Sequence, residues 1–218
     1  MNKMIKQDSV ILETLISIFT VEKGKLKILL EKKQNDPYKG YWKLPGDILA
    51  KDETLEKNID DVLENIIGTS KIYKEQNHTF SEINRTPNER TIATSYIGII
   101  DSNLIKETNI ETKWFIIDEI PKMAYDHKEI VEKAKELLKN RLINTNILKN
   151  LFPSDFTLPE LQSIFESIMS IKLDRRNFRK KFINLGLIEE TGYNNAGGSG
   201  RPAKLYKFKE TIKEINLF

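Results

Sequence analysis

The sequence predicts an α+β protein in two parts: a mixed α/β domain, then a small helical domain closed by a β-hairpin. Three observations predict it. Over the first two thirds, short runs rich in Ile, Leu and Val alternate with a strongly periodic helical segment. The last third holds two capped helices, a strand, a glycine-rich loop and a returning strand. The whole charge excess also lies there. Residues 1–149 carry 24 Lys+Arg and 24 Asp+Glu, and residues 150–218 carry the other 11 and 8 of the chain's 35 and 32.

Composition narrows the class. At 218 residues the chain fits one large domain or two small ones. The absence of cysteine excludes disulfides, thiolate nucleophiles and cysteine-ligated zinc. Two histidines, His78 and His127, make a histidine-rich metal site a poor expectation. Lys3 and Lys6 precede a short apolar run, Val10–Leu12, which Glu13 interrupts. No stretch approaches the roughly 18 apolar residues of a membrane helix, so the expectation is a cytoplasmic protein with no membrane partner.

The elements follow in order. Leu12–Phe19 and Leu26–Glu31 are expected strands, joined by a turn at Glu22–Gly24. A helix spans about Glu53–Ile67, because Leu55, Ile59, Val62, Leu63 and Ile66 recur at helical spacing and Gly68 stands at the C′ position. Thr91–Ile100 and Thr112–Ile117 are further strands. A second helix begins near Asp126, where Asp126 and Glu129 have capping-box spacing, and continues through Ile130, Ala134, Leu137 and Leu138. The pair Asp126–His127 therefore reads as a helix cap rather than a ligand site. The polar stretch Asn140–Asp155 marks the domain boundary, with Ile147, Leu148 and Leu151 implying a short packed helix inside it. Thr157, Pro159 and Glu160 open the next helix with a T-x-x-E box, and Leu161, Ile164, Phe165 and Ile168 form its apolar face. A turn near Ile171–Leu173 leads to a helix over Asp174–Asn184, ended by Gly186. Leu187–Thr191 is a strand, and "RPAKLYKF" returns after the loop "GYNNAGGSG".

The helix "DRRNFRKKFINLG" carries the first functional signal. Phe178, Phe182 and Ile183 are expected to face a core, while Arg175, Arg176, Arg179 and Lys180 fall on other faces, and the helix totals +4. Two helices joined by a tight turn, the second strongly basic, followed by a hairpin, make a winged helix-turn-helix. Such a second helix enters a major groove, its arginines reaching base edges and its other cations meeting phosphates. Gly197, Gly198 and Gly200 allow close approach to a phosphate, Arg201 is placed to enter a minor groove, and Lys204 and Lys207 flank the backbone. A solvated basic helix beside a flexible loop is the competing reading.

The second signal is "YWKLPGDILAKDETLEKNIDDVLENIIG", which resembles the Nudix box G-x5-E-x7-R-E-U-x-E-E-x-G-U. The first glycine position is Asp47, the first glutamate is Glu53, and Leu63 and Gly68 are kept. The arginine position is Asp61, and the final aliphatic is Thr69. The three carboxylates that hold magnesium on one helix face, at i, i+3 and i+4, become Val62, Asn65 and Ile66. The resemblance thus implies no catalytic residue, no bound metal and no hydrolysis by that mechanism. Asp60, Asp61 and Glu64 form an alternative acidic cluster, read as a solvated face. Glu53 is read as a residue favoured by the helix dipole.

Both halves together are similar to the NrtR-type Nudix-related transcriptional regulators. The fragments "QNHTFSEINRTPNERTIATSYIGII", "AYDHKEIVEKA", "LFPSDFTLPELQSIFE", "LDRRNFRKKF" and "GRPAKLYKF" carry the resemblance in this order. It implies a Nudix-fold mixed-sheet α/β/α sandwich over residues 1–145 and a winged helix-turn-helix domain over residues 150–218. It implies a homodimer on a double-stranded DNA operator, governed by a small effector, either ADP-ribose-like or a sugar such as arabinose, with no cofactor. The DNA-binding residues so implied are Arg175, Arg176, Asn177, Arg179 and Arg201, joined by Lys180 and Lys204. The effector residues are Trp42, Lys43, Asp47, Glu53, Arg85 and Arg90. Two other functions compete: an active Nudix-type nucleoside diphosphate hydrolase with an appended domain, and an RNA-associated or protein-binding winged helix.

Overall fold

The structure, a computed structural model, describes residues 9–106, 108–152, 155–195 and 202–209. Strand β1 (Ile11–Glu22) turns back into β2 (Lys25–Lys32) through Lys23 and Gly24, whose φ values of 51° and 72° suit a tight hairpin. Successive β1 side chains leave opposite faces of the sheet, so Leu15 and Phe19 enter one apolar core and Ile16 and Ile18 the other. That two-sided burial is why the strand reads as a nearly continuous apolar run.

β1 pairs in parallel with β6 (Thr91–Ile99), from Ile11 opposite Thr91 to Phe19 opposite Ile99. The other strand pairings of this sheet are antiparallel, with one isolated parallel bridge from Trp42 to Met123. β2 joins β3 (Trp42–Lys43) and β7 (Thr112–Ile116), β1 joins β4 (Gly46–Ile48), and β5 (Tyr73–Phe80) joins β6. The result is a mixed seven-stranded sheet. Helix α1 (Leu55–Ile67) covers one face with Ile59, Val62, Leu63 and Ile66. Helix α2 (His127–Asn144) covers the other with Ile130, Val131, Ala134 and Leu138. This is the expected α/β/α sandwich.

The structure departs from the sequence reading in several places. β5 is an added edge strand: "YKEQNHTF" lacks an apolar pattern because most of its side chains are not buried. Helix α1 starts two residues later than expected, with Thr54 as its cap accepting from the Lys57 amide, so Glu53 precedes the cap. Helix α2 runs on through Asn144, across residues expected to be irregular, because Leu142 is buried against the sheet-facing core. Asp126 makes no side-chain cap bond; its carboxylate is bound to Arg85 instead.

A 3₁₀ turn at Ile147–Leu151 leads to helix α3 (Leu158–Met169), whose Thr157–Glu160 capping box forms in full. Helix α4 (Arg175–Asn184) follows, then the hairpin β8 (Ile188–Asn194) and β9 (Lys204–Phe208). Phe165, Phe178 and Phe182 meet edge-on or tilted with ring centroids 4.5–6.2 Å apart and lock α3 to α4. Ile183, expected in this core, is 42 % exposed, since helical rotation carries it past the buried stripe. The apolar core is continuous from Leu15 and Ile28 of the sheet to Phe165 and Tyr206 of the winged helix. At the junction the Leu26 amide donates to Ser167 Oγ at 3.2 Å.

Candidate effector cleft and nucleic-acid face

A cleft of about 610 Å³ opens at one end of the sheet, a size suited to a small organic ligand. Its walls come from the start of β1, the loop after β2, the β3–β4 segment, the loop before β6 and the start of α2. Sequence-distant polar groups converge here: Glu13, Lys33, Lys43, Asp47, Glu89 and His127. Tyr125 adds an aromatic wall, and the Lys33 ammonium lies 5.8 Å from its ring centre.

Of the six residues expected to hold an effector, Lys43 and Asp47 line this cleft. The Lys43 ammonium donates to Glu31 at 3.0 Å. The other four are engaged elsewhere. Trp42 packs edge-on against Phe115, with ring centres 4.9 Å apart. Glu53 accepts from the Asn58 side-chain amide at 2.8 Å and the Ala50 backbone at 3.2 Å, bracing the loop before α1. Arg85 is almost fully buried; its guanidinium grips both oxygens of Asp126, at 2.9 and 3.0 Å, and also binds Glu13 and Thr91. Arg90 donates to the carbonyls of Ser81 and Glu82, each at 2.8 Å, and so clamps the loop that forms one wall.

The residues that sequence reasoning missed had faint signals. Glu13 is a lone carboxylate in an apolar strand. His127, read as part of a cap, is 98 % buried: the Leu44 amide donates to its Nδ1 at 3.0 Å. Burial foremost, then the nearby Lys43, Arg85 and Lys33 cations, holds the imidazole well below the usual histidine range, so the ring is neutral.

Along α1, Val62 and Ile66 lie in the core and Asn65 is exposed. The alternative acidic cluster is spent on neighbours: Asp60 pairs with Lys74 at 2.6 Å, Asp61 with Lys57, and Glu64 accepts from Ser70 at 2.7 and 2.8 Å. Among the described residues no group of His, Asp and Glu side chains converges as a metal site requires.

The second surface belongs to the winged helix. Asp174 caps α4 by accepting from the Asn177 amide at 2.9 Å. Glu166 organises the turn before it, accepting from the Leu173 amide and the Gln162 side chain, both at 2.8 Å. Those bonds, the Gln162 bond first, hold its carboxyl below the ordinary glutamate range. From α4, Arg175, Arg176, Asn177, Arg179 and Lys180 all project into solvent. Among the described residues none of these four cations is in an ion pair. Lys204 and Lys207 differ: Lys204 pairs with Glu190 at 2.8 Å and Lys207 with Glu189 at 3.0 Å across the hairpin. Arg179, Lys204 and the first turn of α3 line one groove. Arg201 and the loop glycines Gly197, Gly198 and Gly200 lie outside the described residues.

A Nudix-like sandwich with an open polar cleft, joined to a winged helix whose second helix turns Arg175, Arg176, Arg179 and Lys180 to solvent, defines a Nudix-related DNA-binding transcription regulator. Residues 148–208 match the NrtR DNA-binding winged helix domain. The ADPR-responsive transcriptional repressor NtrR of Acinetobacter baylyi is 31 % identical over 209 residues, covering 93 % of this chain and 83 % of the relative. The chain belongs to the NrtR family. The crystal structure of Shewanella oneidensis NrtR complexed with a 27mer DNA superimposes with a TM-score of 0.81 at 27 % identity, covering 91 % of this chain and 93 % of that one. The NUDIX domain of the same protein complexed with ADP ribose gives 0.54 at 26 % identity, over 60 % of this chain and 90 % of that one.

Proposed function

We propose that this protein is an effector-responsive repressor. Residues 1–145 form a sensor that binds an ADP-ribose-like nucleotide without hydrolysing it, and residues 150–218 hold operator DNA as part of a homodimer. One observation carries the sensing half. Two of the three positions where a Nudix helix presents magnesium-binding carboxylates are apolar and packed in the core, while a separate cleft at the end of the sheet, lined by no residue of α1, is open and polar. A diphosphate can be bound there by Lys33 and Lys43, but the metal cradle that would activate water is missing from the helix. The DNA-binding and ADP-ribose-binding relatives support both halves of this reading. No observation of the cleft favours a sugar such as arabinose.

On the DNA side, Arg175, Arg176, Asn177 and Arg179 are assigned to the major groove, and Lys180, Lys204 and Arg201 to phosphates or the minor groove. Two protomers would space their α4 helices about one DNA turn apart, roughly 34 Å. The test has two arms. Duplexes selected by the protein from a random library should be released in a gel-shift assay on adding ADP-ribose. The same protein with magnesium should leave ADP-ribose intact over hours. Sustained release of AMP and ribose 5-phosphate would overturn the sensor reading in favour of a hydrolase.

A further inference from the structure

The imidazole of His127 is nearly inaccessible, yet it forms part of the cleft lining. Its Nδ1 is committed as an acceptor to the Leu44 amide at 3.0 Å. In a neutral ring, that bond places the proton on Nε2, which becomes a fixed donor. No described residue accepts from it. His127 lines the cleft, so a bound ligand atom can accept from that N–H.

The surroundings say what kind of atom. The cations nearest this ring include Lys43, Arg85 and Lys33. Arg85 is consumed by Asp126 and Glu13. Lys33 lies over the Tyr125 face and lines the cleft, with no ion pair among the described residues. Lys33, Lys43 and the His127 N–H offer three donors at this point; of the carboxylates that share the cleft, Glu13 is already bound by Arg85, while Asp36, Asp47 and Glu89 lie elsewhere on its lining. A sugar hydroxyl both donates and accepts, whereas a phosphoryl oxygen only accepts, which matches these three donors. Because burial and the neighbouring cations both oppose protonation, the ring supplies a directed hydrogen bond rather than another charge.

We infer that His127, with Lys33 and Lys43, forms the anion-holding end of the cleft, its Nε2–H donating to a diphosphate oxygen of the effector. The inference rests on the ADP-ribose-like reading above and assigns one end of that ligand to one end of the cleft.

The chain has two histidines, so an imidazole ¹⁵N–¹H spectrum of the full protein holds only two rings and His127 is assigned by His127→Asn. Without ligand, His127 should show the Nε2–H tautomer. Saturating ADP-ribose, and separately millimolar inorganic pyrophosphate, should shift that proton downfield and slow its exchange. Calorimetry with His127→Asn, which keeps an acceptor for the Leu44 amide, should show ADP-ribose affinity weakened about tenfold. Its thermal unfolding curve must remain cooperative, and Lys33→Met, which touches nothing in the core, should weaken binding comparably. Pyrophosphate perturbing Nε2–H while ADP-ribose fails to bind would uphold the anion site and sink the effector reading. ADP-ribose binding that leaves the Nε2–H signal and the variants' affinities unchanged would overturn this inference and leave the effector reading standing.

Discussion

Arg85 shows how much a single side chain can decide. Its guanidinium joins Glu13 of β1 to Asp126 at the start of α2, with its own side chain 1 % exposed. Replacing it by Met would leave two carboxylates near one another without their cation. A loss of about 3–5 kcal/mol is expected, measured by urea unfolding. An effect below 1 kcal/mol would show that solvent already screens the pair. The same residue explains why Asp126 does not cap α2: a bidentate bond to a buried guanidinium outcompetes a single backbone amide. His127 adds a pH dependence. Its pKa in the folded state lies below the unfolded value of 6.5. The unfolded chain therefore binds more protons there, and stability is complete above about pH 6.5 and declines as pH falls below it. His127→Asn should flatten the stability profile between about pH 6.5 and 5; an unchanged slope would mean another group titrates.

At the scale of the element, the two helices of the winged helix differ in what holds them. Helix α3 carries a complete capping box and an apolar stripe, both explicit in T-x-x-E followed by Leu161, Phe165 and Ile168. Thr157→Ala should cost about 1 kcal/mol, read from denaturant midpoints of the full chain. Helix α4 buries only Phe178 and Phe182 and leaves Arg175, Arg176, Arg179 and Lys180 to solvent, so its stability comes from the aromatic contact with Phe165. This was legible because the i, i+4 phenylalanines stand out in a charged segment. Ile183 was misplaced because spacing alone does not say where the buried stripe stops. Strand β5 was illegible for the opposite reason. An edge strand of polar residues is held by backbone pairing to β6, and backbone pairing leaves little trace in side-chain pattern.

At the scale of the molecule, one apolar core joins sensor and winged helix. β1 and β2 touch both ends of that path: Glu13 lines the cleft, and the turn at Gly24 meets α3, where an added Cβ would lie 3.0 Å from Ser163 Oγ. DNA binding should then rest more on α4 than on the hairpin lysines Lys204 and Lys207, which are already paired. Arg175→Ala with Arg176→Ala should weaken duplex binding by about 1–3 kcal/mol per lost base contact, or lower the salt slope by about one per lost phosphate contact. Lys204→Ala should do less, because Glu190 already holds that charge. Binding measured across a salt series checks both; a larger effect from Lys204 than from the arginine pair would move the interface to the wing.

The sequence by itself determined the order of the main elements, the caps of α3 and α4, the cationic helix and the replacement of the metal-binding carboxylates by Val62, Asn65 and Ile66. Those properties are local: periodicity, capping and charge act within a few residues of one another. Only the tertiary structure decided which polar side chains share the cleft. It sent Trp42, Glu53, Arg85 and Arg90 to structural tasks and brought Glu13, Lys33 and His127 together from distant parts of the chain. Burial and neighbouring charge set whether such a group is a donor, an ion or a strut, and both arise only when the strands and helices pack.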